Sequence, residues 1–126
     1  MDRVRFITHH GKQVLFADYT GCTRQTLLDI LKERARIVMA QPKGSVLTLV
    51  DVTGVETSKE VNDEVKKVAV RERDRVKRAA VVGIESVPKV LFESLKTFAA
   101  REYRTFATRE EALDWLVADE EEKKDA

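Results

Sequence analysis

Two short apolar runs in the middle of the chain constrain its fold more than any other feature. Residues 45–52 read SVLTLVDV, and apolar side chains fall on both faces, as in a strand that is covered on both sides. Residues 77–84 read KRAAVVGI, and we expect this run to form the central buried strand. Helical patterns stand between and around these runs, so the chain is expected to form a mostly parallel sheet covered by helices.

The N-terminal part is expected to form an antiparallel hairpin. Residues 4–9 and 13–19 alternate apolar and polar side chains in the manner of strands. The segment His9-His10-Gly11-Lys12 between them reads as a tight turn, for which glycine is suited. Because hairpin strands run in opposite directions, the predicted sheet is mixed.

Helix start signals complete the predicted order of elements. Thr23 is a candidate cap for a helix over residues 24–40. Thr57 and Glu60 form a capping box for a helix that continues to about residue 75, and the segment 108–111 forms another for the last helix. A further helix after Pro88 and a strand over residues 103–106 give the order β-β-α-β-α-β-α-β-α. The predicted fold class is α/β, with a mixed five-stranded sheet.

Length and composition indicate one domain without a nucleic-acid or membrane role. We expect residues 1–118 to form a single domain and the charged segment 119–126 to be a disordered tail. A net charge of +1 and 6% aromatic residues argue against nucleic-acid binding. No apolar run is long enough to span a bilayer, and no signal peptide is evident. These features, with a single cysteine, favour a cytoplasmic location.

The common motifs of catalysis and cofactor binding are absent from the sequence. There is no glycine-rich phosphate loop of either common type, and neither HExxH, CxxC nor GxSxG occurs. We therefore expect no catalytic residues, no cofactor and no enzymatic activity. The enzyme alternative rests on Asp18, Asp51 and Glu56, which are carboxylates near predicted strand ends, where α/β sheets often place sites.

The histidines and the cysteine suggest weaker alternatives. His9 and His10 are adjacent, and neighbouring side chains on a strand point to opposite faces, so we expect no metal site. One histidine would join a site only if Asp18 or Cys22 approached it. Cys22 precedes the first predicted helix, whose N-terminus could lower the pKa of a thiol, and the competing interpretation is a structural cysteine.

A basic stretch closes the second predicted helix. Residues 71–78 read RERDRVKR, which places positive charge where a helix C-terminus is negative. One interpretation is a solvated helix end. The alternative is that Arg71, Arg73 and Arg75 form a docking surface for an acidic partner.

Short segments spread along the chain carry a family resemblance. Their order and spacing resemble the STAS domain, in particular the SpoIIAA-like (STAS/SEC14-like) group of small bacterial proteins, over residues 4–118. The segments are GK at 11–12, FADY at 16–19, QP at 41–42, GSVL at 44–47, DVTG at 51–54, AAVVG at 79–83, EA at 111–112 and WLV at 115–117.

The resemblance implies a switch residue. The best-known STAS proteins are not enzymes; they bind a partner kinase that is also an anti-sigma factor, and phosphorylation of a serine within Asp-Ser-Ser-Gly switches them. Here the corresponding residues are Asp51, Val52, Thr53 and Gly54, with Thr53 in the switch position. The chain departs from the pattern because Val52 replaces one serine and the predicted helix starts late. The competing interpretation is that the segment simply leaves a strand and bonds to its own backbone.

Two binding functions follow from the resemblance as expectations. The first is a non-enzymatic regulatory module that binds another protein, such as a kinase or an anti-sigma-like factor. The second, implied by the SEC14-like likeness, is a carrier of a lipid or a small apolar ligand. Homodimerisation through an open sheet edge or an exposed helix face is a further possibility.

Overall fold

The computed structural model describes residues 3–87, 89 and 102–118. The predicted helix after Pro88 and the predicted tail over 119–126 therefore lie outside the described residues. The elements are β1 Val4–His9, β2 Lys12–Asp18, α1 Arg24–Met39, β3 Val46–Asp51, α2 Lys59–Glu72, β4 Val76–Val82, a 3-10 turn Ile84–Ser86, β5 Glu102–Phe106 and α3 Arg109–Val117.

The strands form one mixed sheet of five, which confirms the predicted fold class. Their order in space is β1-β2-β3-β4-β5, so the order in the sheet follows the chain. β1 pairs with β2 in antiparallel register, and each later pair is parallel. β3 is the central strand, which corrects the expectation that residues 77–84 hold this place. β4 is nonetheless buried at six of its seven positions because both faces of the sheet are covered there.

Alternate residues of the sheet face two different layers of helix. α1 and α2 pack against each other on one face, and α3 packs on the other. In β2, Leu15 and Ala17 belong to the clusters on the α1–α2 face, whereas Val14 and Phe16 pack with Leu116 of α3. The period of two in the strand thus divides the apolar side chains between two cores.

The helix starts follow the predicted caps with one correction. The hydroxyl of Thr23 accepts from the amide of Thr26, and that of Thr108 accepts from the amide of Glu111. For α2 the cap is Ser58 and not Thr57, because Ser58 holds the extended backbone of a cap, with φ −155° and ψ 169°. Within the described ranges, no helix combines the length and the apolar character needed to cross a bilayer.

Candidate functional site

The adjacent strands β2 and β3 end in the same four-residue pattern. Asp18-Tyr19-Thr20-Gly21 follows β2, and Asp51-Val52-Thr53-Gly54 follows β3. In each, the aspartate Oδ1 accepts from the threonine amide at 3.0 Å and from the threonine hydroxyl, at 2.6 Å in the first and 2.8 Å in the second. The two glycines both have positive φ, +64° and +71°. We call residues 18–21 and 51–54 the twin loops.

The twin loops lie side by side at one edge of the sheet. Asp18 and Asp51 are register partners, and the pairing continues past the strands. The amide of Tyr19 donates to the carbonyl of Asp51 at 2.9 Å, and the amide of Gly21 donates to the carbonyl of Thr53 at 2.9 Å. This edge holds the carboxyl ends of parallel strands, where α/β sheets commonly bind ligands and partners.

Arg109, the first residue of α3, lies between the two aspartates. Its Nε donates to Asp51 Oδ2 at 2.7 Å, and its Nη2 is 3.9 Å from Asp18 Oδ1. The guanidinium also lies 4.7 Å from the centre of the Phe16 ring, which restricts its position. The positive charge of Arg109, on the face of the sheet opposite to α1 and α2, therefore lies next to the aspartates of both loops.

The surroundings of Asp18 keep its carboxylate ionised. Burial raises the pKa of Asp18, but hydrogen bonds from Thr20 and the charges of Arg109 and Arg3 outweigh this effect and lower the net pKa. The carboxylate is therefore an acceptor at neutral pH, which suits its two bonds to Thr20.

Arg3 clamps the first of the twin loops. Its Nη1 donates to the carbonyls of Asp18 and Thr20, at 3.2 and 3.0 Å, and to Cys22 Sγ at 3.1 Å. Burial raises the pKa of the Cys22 thiol by more than Arg3 lowers it. Cys22 is also 2% exposed, and both observations favour the structural interpretation over the reactive one.

Thr53 in the second loop is exposed to solvent but is not at a helix N-terminus. α2 begins only at Lys59, so the late start that the sequence indicated is confirmed. The hydroxyl donates to Asp51, as the strand-exit interpretation expects. Gly83, which follows β4, lies against this loop: a Cβ there would overlap the Thr53 hydroxyl and lie 2.6 Å from the Thr53 amide nitrogen.

The other predicted residues lie apart from this site. Glu56 is exposed and lines a groove at the start of α1, so the three carboxylates of the enzyme alternative do not converge. Arg71, Arg73 and Arg75 lie at the far end of α2, about 20 Å along the helix from its start. Arg71 and Arg73 are exposed, and Arg75 donates to the carbonyl of Gln41 at 2.8 Å.

His9 and His10 point the same way, contrary to the expectation from strand geometry. His10 is in the left-handed conformation, with φ 49°, and its ring stacks on that of His9 with 4.1 Å between centroids. The expectation was wrong because His10 belongs to the turn and not to the strand. Asp18 and Cys22, the two ligands considered from the sequence, lie at the opposite end of the hairpin.

A second concave feature lies between the sheet and the α1–α2 layer. It is a cavity of about 130 Å³, lined by apolar side chains of which Val50, Val65 and Ala69 are examples. Buried polar groups stand in its wall. Arg34 Nε and Nη2 donate to Glu72 Oε1 at 3.1 and 2.9 Å, and Arg34 Nη1 donates to Thr48 at 2.7 Å.

Two buried acceptors beside this cavity lack a hydrogen-bond donor among the described residues. They are Glu72 Oε2 and Asn62 Oδ1. An unsatisfied buried acceptor costs about 1–3 kcal/mol, so such atoms are rare without a water or a ligand.

Burial also raises the pKa of Tyr19 to about 12, although Arg34 opposes this.

Comparison with known proteins identifies the family. A family model described as SpoIIAA-like matches residues 12–117. The chain belongs to the SpoIIAA-like family. Among solved structures, it is similar to an uncharacterised protein of Shewanella loihica PV-4 with a SpoIIAA-like fold; the identity is 17%, the TM-score is 0.72, and the match covers 90% of this chain and 91% of that one. No functionally curated protein matches the sequence.

The family resemblance predicted only half of the site in this SpoIIAA-like protein. It pointed to residues 51–54 but not to residues 18–21, although the repeated Asp-x-Thr-Gly pattern is visible in the sequence. Arg109 was also missed as a site residue. Its position in a capping box gave no sign that the side chain reaches the ends of two strands.

Proposed function

We propose that this SpoIIAA-like protein is a cytoplasmic regulatory module that binds another protein through the surface around Thr53, in the second of the twin loops, and is switched by phosphorylation of Thr53. The observation that carries the proposal is the position of the Thr53 hydroxyl. Thr53 is an exposed residue at the carboxyl edge of the sheet, and its hydroxyl bonds to the same carboxylate that Arg109 holds from the other side.

Phosphorylation would change the charge balance of this carboxylate. A phosphate adds about −1.5 to −2 charges and replaces the donor hydroxyl by acceptor oxygens. The bond from Thr53 to Asp51 Oδ1 is then lost, and two anions stand side by side. The Arg109 side chain is 45% exposed, so a phosphate on Thr53 would compete with Asp51 Oδ2 for its guanidinium.

The proposed partner is a protein of the kinase or anti-sigma-like type, which family resemblance suggests. Arg71 and Arg73 lie too far along α2 to belong to the contact around Thr53. They would form a separate basic surface for an acidic partner. A homodimer through β1 or β5 is a competing prediction, since these are the two edge strands of the sheet among the described residues.

Affinity capture with matched variants tests the proposal. Wild type, Thr53→Glu and Thr20→Glu are used as baits in extract of the source organism, and bound proteins are quantified by mass spectrometry. Thr20 is the control because it occupies the equivalent place in the first loop. We expect at least one partner that Thr53→Glu loses and Thr20→Glu retains. The same partners on all three baits, or none on any, would contradict the proposal.

The cavity favours a second candidate, a carrier of a small ligand with an apolar body. A volume of about 130 Å³ is below the ~300 Å³ typical of drug-sized ligands and resembles cavities that accept a benzene-sized molecule. The two unsatisfied acceptors, Glu72 Oε2 and Asn62 Oδ1, would suit a ligand with a hydroxyl or an amine.

Native mass spectrometry of the protein purified from its source tests this candidate. We expect a retained small molecule in wild type and in Val70→Phe, whose changed side chain is on the exposed face of α2. Val65→Phe fills the cavity from the same helix and should abolish retention. Equal retention in both variants, or no adduct in wild type, would exclude the cavity as the binding site.

A further inference from the structure

The β1–β2 turn and α3 bring three metal-ligating side chains together. His9 closes β1, His10 lies in the turn, and Asp114 lies on α3, far away in sequence. One ligand atom from each side chain lies within 4.8 Å of the other two. None of these residues belongs to the twin loops or to the cavity, so the cluster has no place in the proposed function.

The turn conformation aims both imidazoles at the same space. His10 and Gly11 have φ of 49° and 78°, the pattern of a two-residue hairpin turn with both residues in the left-handed region. A non-glycine residue pays for this conformation, and histidine is among the residues that adopt it more readily. The rings are stacked and inclined by only 19°, so both lie on the same side of the turn, and one ring must turn out of the stack before both nitrogens can bind one ion.

α3 supplies the carboxylate. His9 Nε2 and Asp114 Oδ1 are 2.7 Å apart, so the helix face already contacts the turn. Lys12 is the nearby cation of the hairpin, and its ammonium donates to the carbonyl of Val117 at 2.9 Å. That bond holds the ammonium at the C-terminal end of α3.

The three ligand atoms are close enough for a tetrahedral ion once the side chains rotate and the histidine rings leave their stack. Zinc binds imidazole nitrogen and carboxylate oxygen at about 2.0–2.2 Å, so ligand atoms around it are about 3.3 Å apart. His9 Nε2 and Asp114 Oδ1 must separate slightly, and the remaining atoms must approach by up to about 1.5 Å. His10 and Asp114 are exposed, which leaves them free to make these movements.

We infer that His9, His10 and Asp114 form a binding site for Zn²⁺ that links the β1–β2 turn to α3. Three protein ligands leave a fourth position for water. Imidazole also binds Cu²⁺ and Ni²⁺, so these ions compete at the same site. Because the unfolded chain does not hold the three ligands together, bound zinc stabilises the fold.

Calorimetric titration of the full, tag-free chain with Zn²⁺ tests the inference. Wild type should bind one equivalent, and His10→Ala and Asp114→Asn should each weaken binding by at least about tenfold. Glu110→Gln removes the same charge from the exposed face of the same helix and should leave the affinity unchanged. Lowering the pH should weaken binding, since protons compete for the imidazole nitrogens.

Two further measurements separate a built site from loose surface binding. Zn²⁺ should raise the unfolding temperature of wild type and of Glu110→Gln but not that of His10→Ala. Co²⁺ should give the visible absorption of a four-coordinate ion in wild type and not in Asp114→Asn. Absence of saturable binding, or equal loss of affinity in Glu110→Gln and Asp114→Asn, would overturn the inference.

Discussion

The twin loops have the same sequence pattern and the same internal hydrogen bonds, yet they meet different surroundings. The first loop is clamped by Arg3, and its Tyr19 is buried in the core. The second loop is backed by Gly83 and held by Arg109, and its Thr53 is exposed. The same four-residue pattern therefore builds a structural corner at one strand end and an accessible surface at the next. The neighbours of a loop, and not its local sequence, decide which of the two it becomes.

The largest expected difference between the loops is the loss of stability when a glycine at each loop is replaced by alanine: Gly83, which packs against the second loop, and Gly21 in the first. Gly83→Ala would force a Cβ into Thr53 and place alanine at φ +82°, so we expect a loss of about 3–4 kcal/mol in unfolding free energy. Gly21→Ala meets no neighbour within 4 Å and should cost only about 1 kcal/mol of backbone strain. Urea unfolding of both variants measures this. Equal losses would show that Gly83 does not support the second loop.

The second-largest expected difference is the loss of stability when the aspartate of each loop is replaced by alanine. The side chain of Asp51 is 6% exposed and accepts a charged hydrogen bond from Arg109, whereas that of Asp18 is 25% exposed and 3.9 Å from the same group. We expect Asp51→Ala to cost about 2–3 kcal/mol and Asp18→Ala about 1 kcal/mol. Thermodynamic cycles with Arg109→Ala should find a larger coupling for Asp51. A larger coupling for Asp18 would reverse the assignment of Arg109.

The second residue of the first loop is Tyr19 and that of the second loop is Val52, so only the first loop should make the stability of the protein depend on alkaline pH. Burial raises the pKa of Tyr19 to about 12, so the unfolded chain loses this proton at lower pH than the folded chain does. Stability is therefore full below the unfolded pKa of about 10 and falls by about 1.4 kcal/mol per pH unit as the pH rises towards 12. Tyr19→Phe should remove this contribution to the slope, measured by urea unfolding from pH 8 to 11.5.

Tyr103 provides the control for this measurement. Burial also raises its pKa to about 12, and it lies on β5, outside the twin loops. Tyr103→Phe should remove a similar part of the alkaline slope and leave the part due to Tyr19. If Tyr19→Phe leaves the slope unchanged while Tyr103→Phe abolishes it, then Tyr19 ionises without cost and the first loop is not a buried corner.

The threonine hydroxyls are expected to show the smallest difference. Thr20 is partly buried, so Thr20→Ala leaves Asp18 short of a donor that water replaces poorly, at a cost of about 1 kcal/mol. Thr53 is exposed, and Asp51 keeps its bonds from the Thr53 amide and from Arg109, so Thr53→Ala should cost about 0.5 kcal/mol or less. Thermal unfolding compares the two. A greater loss for Thr53→Ala would make Thr53 a structural residue.

Much of the fold could be predicted because its signals are local. The apolar runs of β3 and β4, the turn at Gly11 and the caps Thr23 and Thr108 each act within a few residues. Where two neighbours offered the same chemistry, as Thr57 and Ser58 do, the pattern could not choose between them. The place of β4 beside the edge strand was also missed, because apolar composition reports burial on both faces and not position in a sheet.

The amino-acid sequence by itself determined the fold class, the family and the Asp51–Gly54 loop, since periodicity and short motifs are written in consecutive residues. Only the tertiary structure decided which distant side chains meet. Arg109 reaches Asp51, Arg34 pairs with Glu72 inside the core, and Asp114 contacts His9 because strands and helices that are distant in sequence pack together. These contacts depend on sheet order and layer packing, which no local pattern records, and they supply the chemistry on which the proposals rest.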